Sequence, residues 1–202
     1  MPGIVMDPVL IPVDYFRVLE RHELFPDDRP LEVDLGSGDG SFLVQMAELY
    51  PERNFLGVER LIGRVEKTAK RIKERGLTNA RVLRIESVYA LGWLLPESSV
   101  SRMHLLCPDP WPKKKHHNRR IYHNPEFHPA LTRALIPEGE FLLKSDDLPY
   151  FESGVEVMST HANFERLDWP AQAFPYPLTD FEEQWLALGK TMNRARWKKL
   201  GL

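Results

Sequence analysis

Short apolar runs alternate with amphipathic stretches along most of the chain. LEVDL (31–35), NFLGVE (54–59), RVLRIE (81–86), MHLLC (103–107) and GEFLLK (139–144) each read as a strand. Helical spacing follows each of them, over Ser41–Leu49, Leu61–Arg75, Val88–Leu95, Pro125–Leu135 and Leu148–Thr160. Gly76 stops the second of these helices, Pro96 closes the third, and Pro125 suits the first turn of the fourth. Strands that are apolar almost throughout are buried on both faces, and helical crossovers return the chain parallel to itself. The pattern predicts an α/β fold with a mostly parallel, seven-stranded sheet and helices on both faces. Residues 1–12 read as a tail, and Asp14–Glu23 as a short amphipathic helix with Phe16, Leu19 and Leu24 inward. The last third differs in rhythm. Phe164–Leu167 reads as a strand, DWPAQAFPYPLT as a proline-broken loop, Thr179–Gly189 as a helix and Lys190–Trp197 as a final edge strand. No boundary divides the 202 residues, which predicts one domain.

Composition narrows the class. Apolar residues make up 43% and charged residues 28%, the balance of a soluble globular protein. No apolar run approaches the roughly 20 residues that span a bilayer, and MPGIVMDPVLIP lacks the basic start of a signal peptide. Cys107 is the only cysteine, so a cysteine-based zinc site and an intrachain disulfide are excluded. These features predict a reducing, cytoplasmic setting. His116, His117, His123 and His128 do not fall at a spacing that closes a ligand set on one helix face, so no metal is expected.

The net charge of −2 hides a segregation. Trp111–His123 carries five Lys and Arg without an acid, and the chain after Glu183 carries five more (Lys190, Arg194, Arg196, Lys198, Lys199). Outside these clusters, 17 of the 27 basic residues face all 29 acidic ones. An acidic body with concentrated positive charge predicts a polyanionic partner, because phosphate attraction follows the local field.

Two stretches carry candidate chemistry. In LLCPDPWPKKKHHNRR (105–120), Pro108, Pro110 and Pro112 lack backbone donors and push their predecessors toward extended geometry. The segment should leave the end of a strand as a stiff, extended arm. It bears one carboxylate, Asp109, then Trp111, which either stacks on a base or packs beneath the arm, and then the cations. Cys107 reads as a buried thiol at the strand end. The second stretch is DLGSGDG, between the first strand and the first helix. Gly36, Gly38 and Gly40 allow a tight turn that a ligand can approach. Their GxGxG spacing is not the GxGxxG dinucleotide fingerprint. Asp34 would repel a pyrophosphate and attract a cationic ligand end. Glu59 ends the second strand, where a carboxylate can take both hydroxyls of a ribose, and Glu86 ends the third, beside an adenine site. A nucleoside with a positive end and no phosphates describes S-adenosylmethionine, whose product is S-adenosylhomocysteine. The fold is then a Rossmann-like class I methyltransferase.

CPDPWPKKKHHNRR resembles the PDPWPKKRHxKRR signature of bacterial tRNA (guanine-N7-)-methyltransferases. In the same order, DLGSGDG resembles the family's ExGxGxG, FLGVER its FLGIE, SDDLPY its TDxxxY and TDFE its TxYE, over roughly residues 31–199. The resemblance implies methyl transfer from S-adenosylmethionine to N7 of a guanine in the tRNA variable loop. It places cofactor contacts on Asp34, Glu59, Glu86 and Asp109, with Asp109 also the catalytic position. It places substrate contacts on Lys113, Asp146, Thr179, Asp180, Phe181 and Glu182. Lys114, Lys115, Arg119 and Arg120 are candidates for the RNA backbone. Asp34 and Glu86 exchange the family's usual Glu and Asp, and Phe181 replaces a tyrosine. Thr179 with Glu182 is equally a helix capping box, and Asp146 equally a cap for the helix at Leu148.

Rival readings remain at this point. An exocyclic-amine methyltransferase would end its fourth strand in an NPPY-like element, where this chain has Asp109 and Trp111. A dehydrogenase is disfavoured by Asp34 and the glycine spacing, and a non-catalytic RNA-binding scaffold by the retained acids. A monomer and a homodimer are equally compatible with the sequence.

Overall fold

The computed structural model describes residues 6–170 and 172–201. Eight strands form one sheet in the order β1-β4-β3-β2-β5-β6-β8-β7. They are β1 (Val9–Leu10), β2 (Leu31–Leu35), β3 (Asn54–Glu59), β4 (Ala80–Arg84), β5 (Val100–Leu106), β6 (Leu135–Ser145), β7 (Phe164–Leu167) and β8 (Asn193–Lys199). All adjacent pairs are parallel except those of β8, which runs antiparallel to β6 and β7. The helices are α1 (Arg21–Leu24), α2 (Ser41–Leu49), α3 (Ile62–Glu74), α4 (Ser87–Tyr89), α5 (Phe127–Ala134), α6 (Leu148–Ser159) and α7 (Asp180–Ala187). A π-helical turn, Ala90–Leu94, extends α4.

The apolar strand positions divide between the two faces. Val33, Leu35, Met103, Leu105, Phe141 and Leu143 pack with Leu91, Leu131 and Tyr150 on the face of α4, α5 and α6. Phe55 and Ala80 pack with Phe42, Met46 and Ile72 on the face of α2 and α3. This two-faced burial encloses every residue of β2 and β3, the acids Glu32 and Asp34 included.

Three expectations are corrected. Part of the tail is a strand: Val9 and Leu10 pair with Val82 and Leu83, giving eight strands instead of seven; residues 1–5 lie outside the described residues. The helix before β2 spans only Arg21–Leu24, and Phe16 is 93% exposed while Leu19 and Leu24 are buried. Asp14 Oδ1 accepts the Phe16 N–H at 2.7 Å, a local turn that competes with helix at this point. The last strand is not an edge, because β8 lies between β6 and β7 with Trp197 stacked on Phe141 at 5.6 Å.

Smaller shifts concern helix starts. Pro125 precedes α5, which begins at Phe127. Asp147, not Asp146, caps α6, accepting from Tyr150 N at 2.8 Å.

The strand β8 also changes the meaning of the second basic cluster. Arg196 pairs with Glu140. Lys198 reaches Glu138 and Glu165 at 2.9 and 3.4 Å, and Lys199 donates to the Thr132 and Leu135 carbonyls. Lys190 pairs with Asp146 at 3.7 Å. Only Arg194 of these five makes no ion pair or side-chain hydrogen bond among the described residues. This cluster therefore fastens the antiparallel edge of the sheet and is not a free cationic face.

Buried Arg81 ties the N-terminal segment to β4 by donating to the carbonyls of Asp7, Glu23 and Leu24 at 3.0, 2.8 and 2.9 Å. Arg81→Ala leaves buried carbonyls unpaired, at a cost of about 2–3 kcal/mol. Urea unfolding followed by tryptophan fluorescence should show the lower midpoint; a wild-type midpoint would refute this role.

Candidate active site

The C-terminal ends of β2, β3, β4 and β5 share one rim. Between β2 and α2 the chain turns through Gly36, Gly38 and Gly40, whose φ values of 73°, 58° and 77° lie in the left-handed region. A Cβ on Gly40 would lie 2.5 Å from the Thr68 methyl, so α3 closes against the turn only at glycine. Gly36 N and Ser37 N both donate to Val58 O, and Gly38 N donates to Glu59 Oε2 at 3.1 Å. Glu59 Oε1 accepts from Leu61 N at 2.9 Å, and Arg64 stands 3.7 Å from the same carboxylate. Three of the turn's N–H groups, those of Gly36, Ser37 and Gly38, are thus spent on β3 and are not turned to a phosphate.

Beside this turn is a cleft of about 460 Å³, walled by Gly36, Glu59, Arg64, Glu86, Asp109 and Trp111 among others. Glu86 is exposed on its wall and also caps α4, accepting from Tyr89 N at 2.8 Å. Asp34 does not reach the wall. It is 4% exposed, with its neighbours Gly57 on β3 and His104 on β5. Burial, with Glu59 adding repulsion, pushes its carboxyl up to about 7.

Asp109 reaches the cleft on an arm that bends more than its prolines suggest. Cys107 and Trp111, each before a proline, have φ of 46° and 47°, so the arm turns at two points instead of running extended. Left-handed geometry at non-glycine residues costs about 1–3 kcal/mol and persists where surrounding contacts over-determine it. Those contacts are present. Cys107 N donates to Lys144 O at 2.9 Å. Arg120 Nε donates to Pro110 O at 2.9 Å, and its guanidinium lies 5.3 Å over the Tyr150 ring. Arg120 is 3% exposed, so it clamps the arm and is not a phosphate contact, which corrects its place among the RNA-backbone candidates. Lys114–Arg119 then coils into a 3₁₀ turn that sets Arg119 4.9 Å over Trp111. Lys113, Lys114, Lys115 and Arg119 are exposed, and none forms an ion pair among the described residues. Burial, then Glu182 and Asp146, pushes the Cys107 thiol up to about 12, which suits an inert packing group.

The remaining predicted residues gather on the other side of Cys107. A second cavity of about 410 Å³ is lined by Lys144, Trp169, Tyr176, Glu182, Lys190 and Arg194, and by Met192, whose sulfur lies 3.8 Å from that of Cys107. Thr179 Oγ1 accepts from Glu182 N at 3.0 Å and caps α7. The Glu182 carboxylate does not return to complete a capping box; it turns inward onto Lys144 Nζ at 2.6 and 2.8 Å. Asp180 lies 3.6 Å from Arg71, which also holds Asp39 of the glycine turn at 2.7 Å. Phe181 is 54% exposed, and Asp146 sits against Lys190. Thr179, Asp180 and Phe181 line neither cavity.

Residues that sequence reasoning missed hold this corner together. His104 bridges Glu32 Oε2 at 2.8 Å and the Tyr176 hydroxyl at 2.6 Å. The arrangement satisfies all three groups when a neutral His104 donates from Nε2 and accepts the tyrosine proton at Nδ1. Burial holds the imidazole low against the pull of Glu32. For Glu32, burial is outweighed by the His104 hydrogen bond and by Arg102 and Arg53, which keep its carboxyl low. The network pins the proline loop to β2 and β5. Polar residues inside otherwise apolar strands (Glu32, His104, Lys144) were the available signal.

A mostly parallel sheet with a left-handed glycine turn and acids along its carboxyl rim defines a Rossmann-like class I methyltransferase. Solved structures agree in fold. The 16S rRNA methyltransferase KamB matches with a TM-score of 0.64 at 17% identity, over 89% of this chain and 92% of that one. The aminoglycoside resistance methyltransferase NpmB1 matches at 0.62 and 19%, over 90% and 94%. A family model described as "Putative methyltransferase" matches residues 28–195. The tRNA (guanine-N(7)-)-methyltransferase of Vibrio parahaemolyticus serotype O3:K6 is 34% identical over 194 residues, 93% of this chain and 81% of that one. That of Chromohalobacter salexigens is 39% identical over 173 residues, 82% and 70%. The chain belongs to the tRNA (guanine-N(7)-)-methyltransferase family.

Asp34 yields a test of the buried turn. Its folded pKa, raised to about 7, lies above the ordinary carboxyl value. The folded state therefore binds the proton more tightly, and the destabilisation from Asp34 grows as pH rises from about 4 to 7 and then levels. Asp34→Asn should raise the melting temperature of the ligand-free protein at pH 8, with the gain shrinking toward pH 5. A gain independent of pH would contradict this.

Proposed function

We propose that this protein transfers the methyl group of S-adenosylmethionine to N7 of a guanine in the variable loop of tRNA. The observation that carries the reading is the continuity of one segment. Asp109 stands on the cleft wall, and the unpaired cations Lys113, Lys114, Lys115 and Arg119 follow within ten residues, on an arm clamped by Arg120. A cofactor site and a polyanion surface are thereby joined at fixed spacing. The cleft suits the cofactor chemically: Glu59, Glu86 and Asp109 supply carboxylates for ribose hydroxyls and a cationic end, and would repel a pyrophosphate.

S-adenosylmethionine supplies an electrophilic methyl on a sulfonium. Guanine N7 carries its lone pair in the ring plane, so no proton leaves before attack and no general base is needed. The protein's contribution is placement and electrostatics. Asp109 faces the site where positive charge arrives on the guanine ring and stabilises it there. Arg120 keeps Asp109 in place, and the exposed cations hold phosphates without reading sequence. The segment Thr179–Glu182 and Asp146 border the base. Methylation takes place in the cytoplasm, and among the described residues no helix is long and apolar enough to cross a membrane.

Asp109→Ala should lower methylation of unmodified bulk tRNA by about 10²-fold or more, with an unchanged circular dichroism spectrum; wild-type turnover would sink the assignment. Mapping of the product should place the methyl on guanine N7 in the variable loop, and a methyl on another atom would redirect the reading. Replacing Lys113, Lys114, Lys115 and Arg119 together by Ala should flatten the slope of log K against log[salt] for tRNA by about 3. An unchanged slope would remove the arm from the phosphate surface.

A further inference from the structure

We infer that Lys144 is a positioning residue for the substrate base, acting through Glu182; this rests on the substrate role proposed for the Thr179–Glu182 segment. Lys144 lies near the end of β6, in a run that is otherwise apolar, and is 3% exposed. Its two ends hold two different parts of the site. Its carbonyl accepts the Cys107 N–H at 2.9 Å, fixing the root of the arm that carries Asp109. Its ammonium donates to both Glu182 oxygens at 2.6 and 2.8 Å, fixing the first turn of α7. The spacing between the arm and α7 is thus set through a single residue. The Tyr176 and Trp169 rings, 4.9 and 5.8 Å from Nζ, pack around it beneath the proline loop.

The pair is a costly way to gain stability. Buried ion pairs exchanged for apolar residues of similar volume often leave a fold as stable or more so, whereas removal of one partner is damaging. What the pair supplies is direction. Glu182 has the position of a capping-box acid, yet Lys144 draws its carboxylate away from the Thr179 backbone and into the wall of the 410 Å³ cavity. Each carboxylate oxygen retains a second acceptor position. Lys144 therefore presents Glu182 as an oriented acceptor for N–H donors of a base entering beside Cys107.

The experiment compares steady-state methylation of unmodified tRNA with S-adenosylmethionine binding by calorimetry. Lys144→Met should reduce kcat/KM for tRNA at least 30-fold while the Kd for S-adenosylmethionine stays within twofold. Lys144→Arg, which keeps the charge, should recover at least tenfold of that loss. On a Glu182→Gln background, adding Lys144→Met should cause no further loss, because the lysine acts only through the carboxylate. Should Lys144→Met fail to fold, the double variant Lys144→Met/Glu182→Met removes both charges; it should fold, bind S-adenosylmethionine and be as inactive as Glu182→Gln. A folded Lys144→Met with wild-type kcat/KM, beside an impaired Glu182→Gln, overturns the inference and leaves the proposed function standing. Multiplicative losses in Lys144→Met/Glu182→Gln overturn it too, as does wild-type activity of the double methionine variant. Wild-type activity of Glu182→Gln sinks both the inference and the substrate role of the segment.

Discussion

Strands β2 and β5 lie side by side, yet their crossovers leave toward opposite edges of the sheet, β2 to β3 and β5 to β6. Parallel strands whose connections diverge must leave a crevice beyond their carboxyl ends. The whole site depends on that crevice. The glycine turn closes one side, because β2 runs directly into it, and the arm with Asp109 closes the other, because β5 ends at Leu106. Glu59, Glu86 and Asp109 are on the wall because a strand ends at or just before each of them.

The crevice alone would be open and imprecise. Its precision comes from polar groups buried within strands and turns where apolar residues would pack more cheaply. Glu32, His104 and Tyr176 tie the proline loop to the sheet, Lys144 and Glu182 tie α7 to β6, and Arg120 ties the arm to its own carbonyl at Pro110. Each desolvates charge or polarity, and each is satisfied by close partners. Asp34 is the exception. Buried beneath the turn with Glu59 nearby, its carboxyl is displaced to near neutrality. Strain of this kind concentrates at functional sites, where stability yields to activity.

Much of this was legible along the chain. The five central strands and their helices followed from apolar runs and 3.6-residue spacing, since a doubly covered parallel sheet imposes that pattern on every strand. The glycine turn, Glu59, Glu86 and Asp109 were legible because each falls at a strand end, and strand ends share the rim. The edges were not. The two-residue β1 is too short for any pattern and exists because β4 offers an unpaired edge. The place of β8 between β6 and β7 is a matter of topology, which local spacing does not encode.

Charge shows the same division. The sequence by itself determined that cations cluster in two segments, and that the first follows a proline-stiffened carboxylate. Only the tertiary structure decided what each cation does. Arg120 turns inward to clamp the arm, Arg196 and Lys198 of β8 are consumed by Glu138, Glu140 and Glu165 on neighbouring strands, Lys199 by the Thr132 and Leu135 carbonyls, and among the described residues Lys113, Lys114, Lys115 and Arg119 remain unpaired. The reason is physical. A segment's composition and period are set by its own residues, but whether a charge meets solvent or a partner is set by residues distant in sequence, brought near only when the sheet forms.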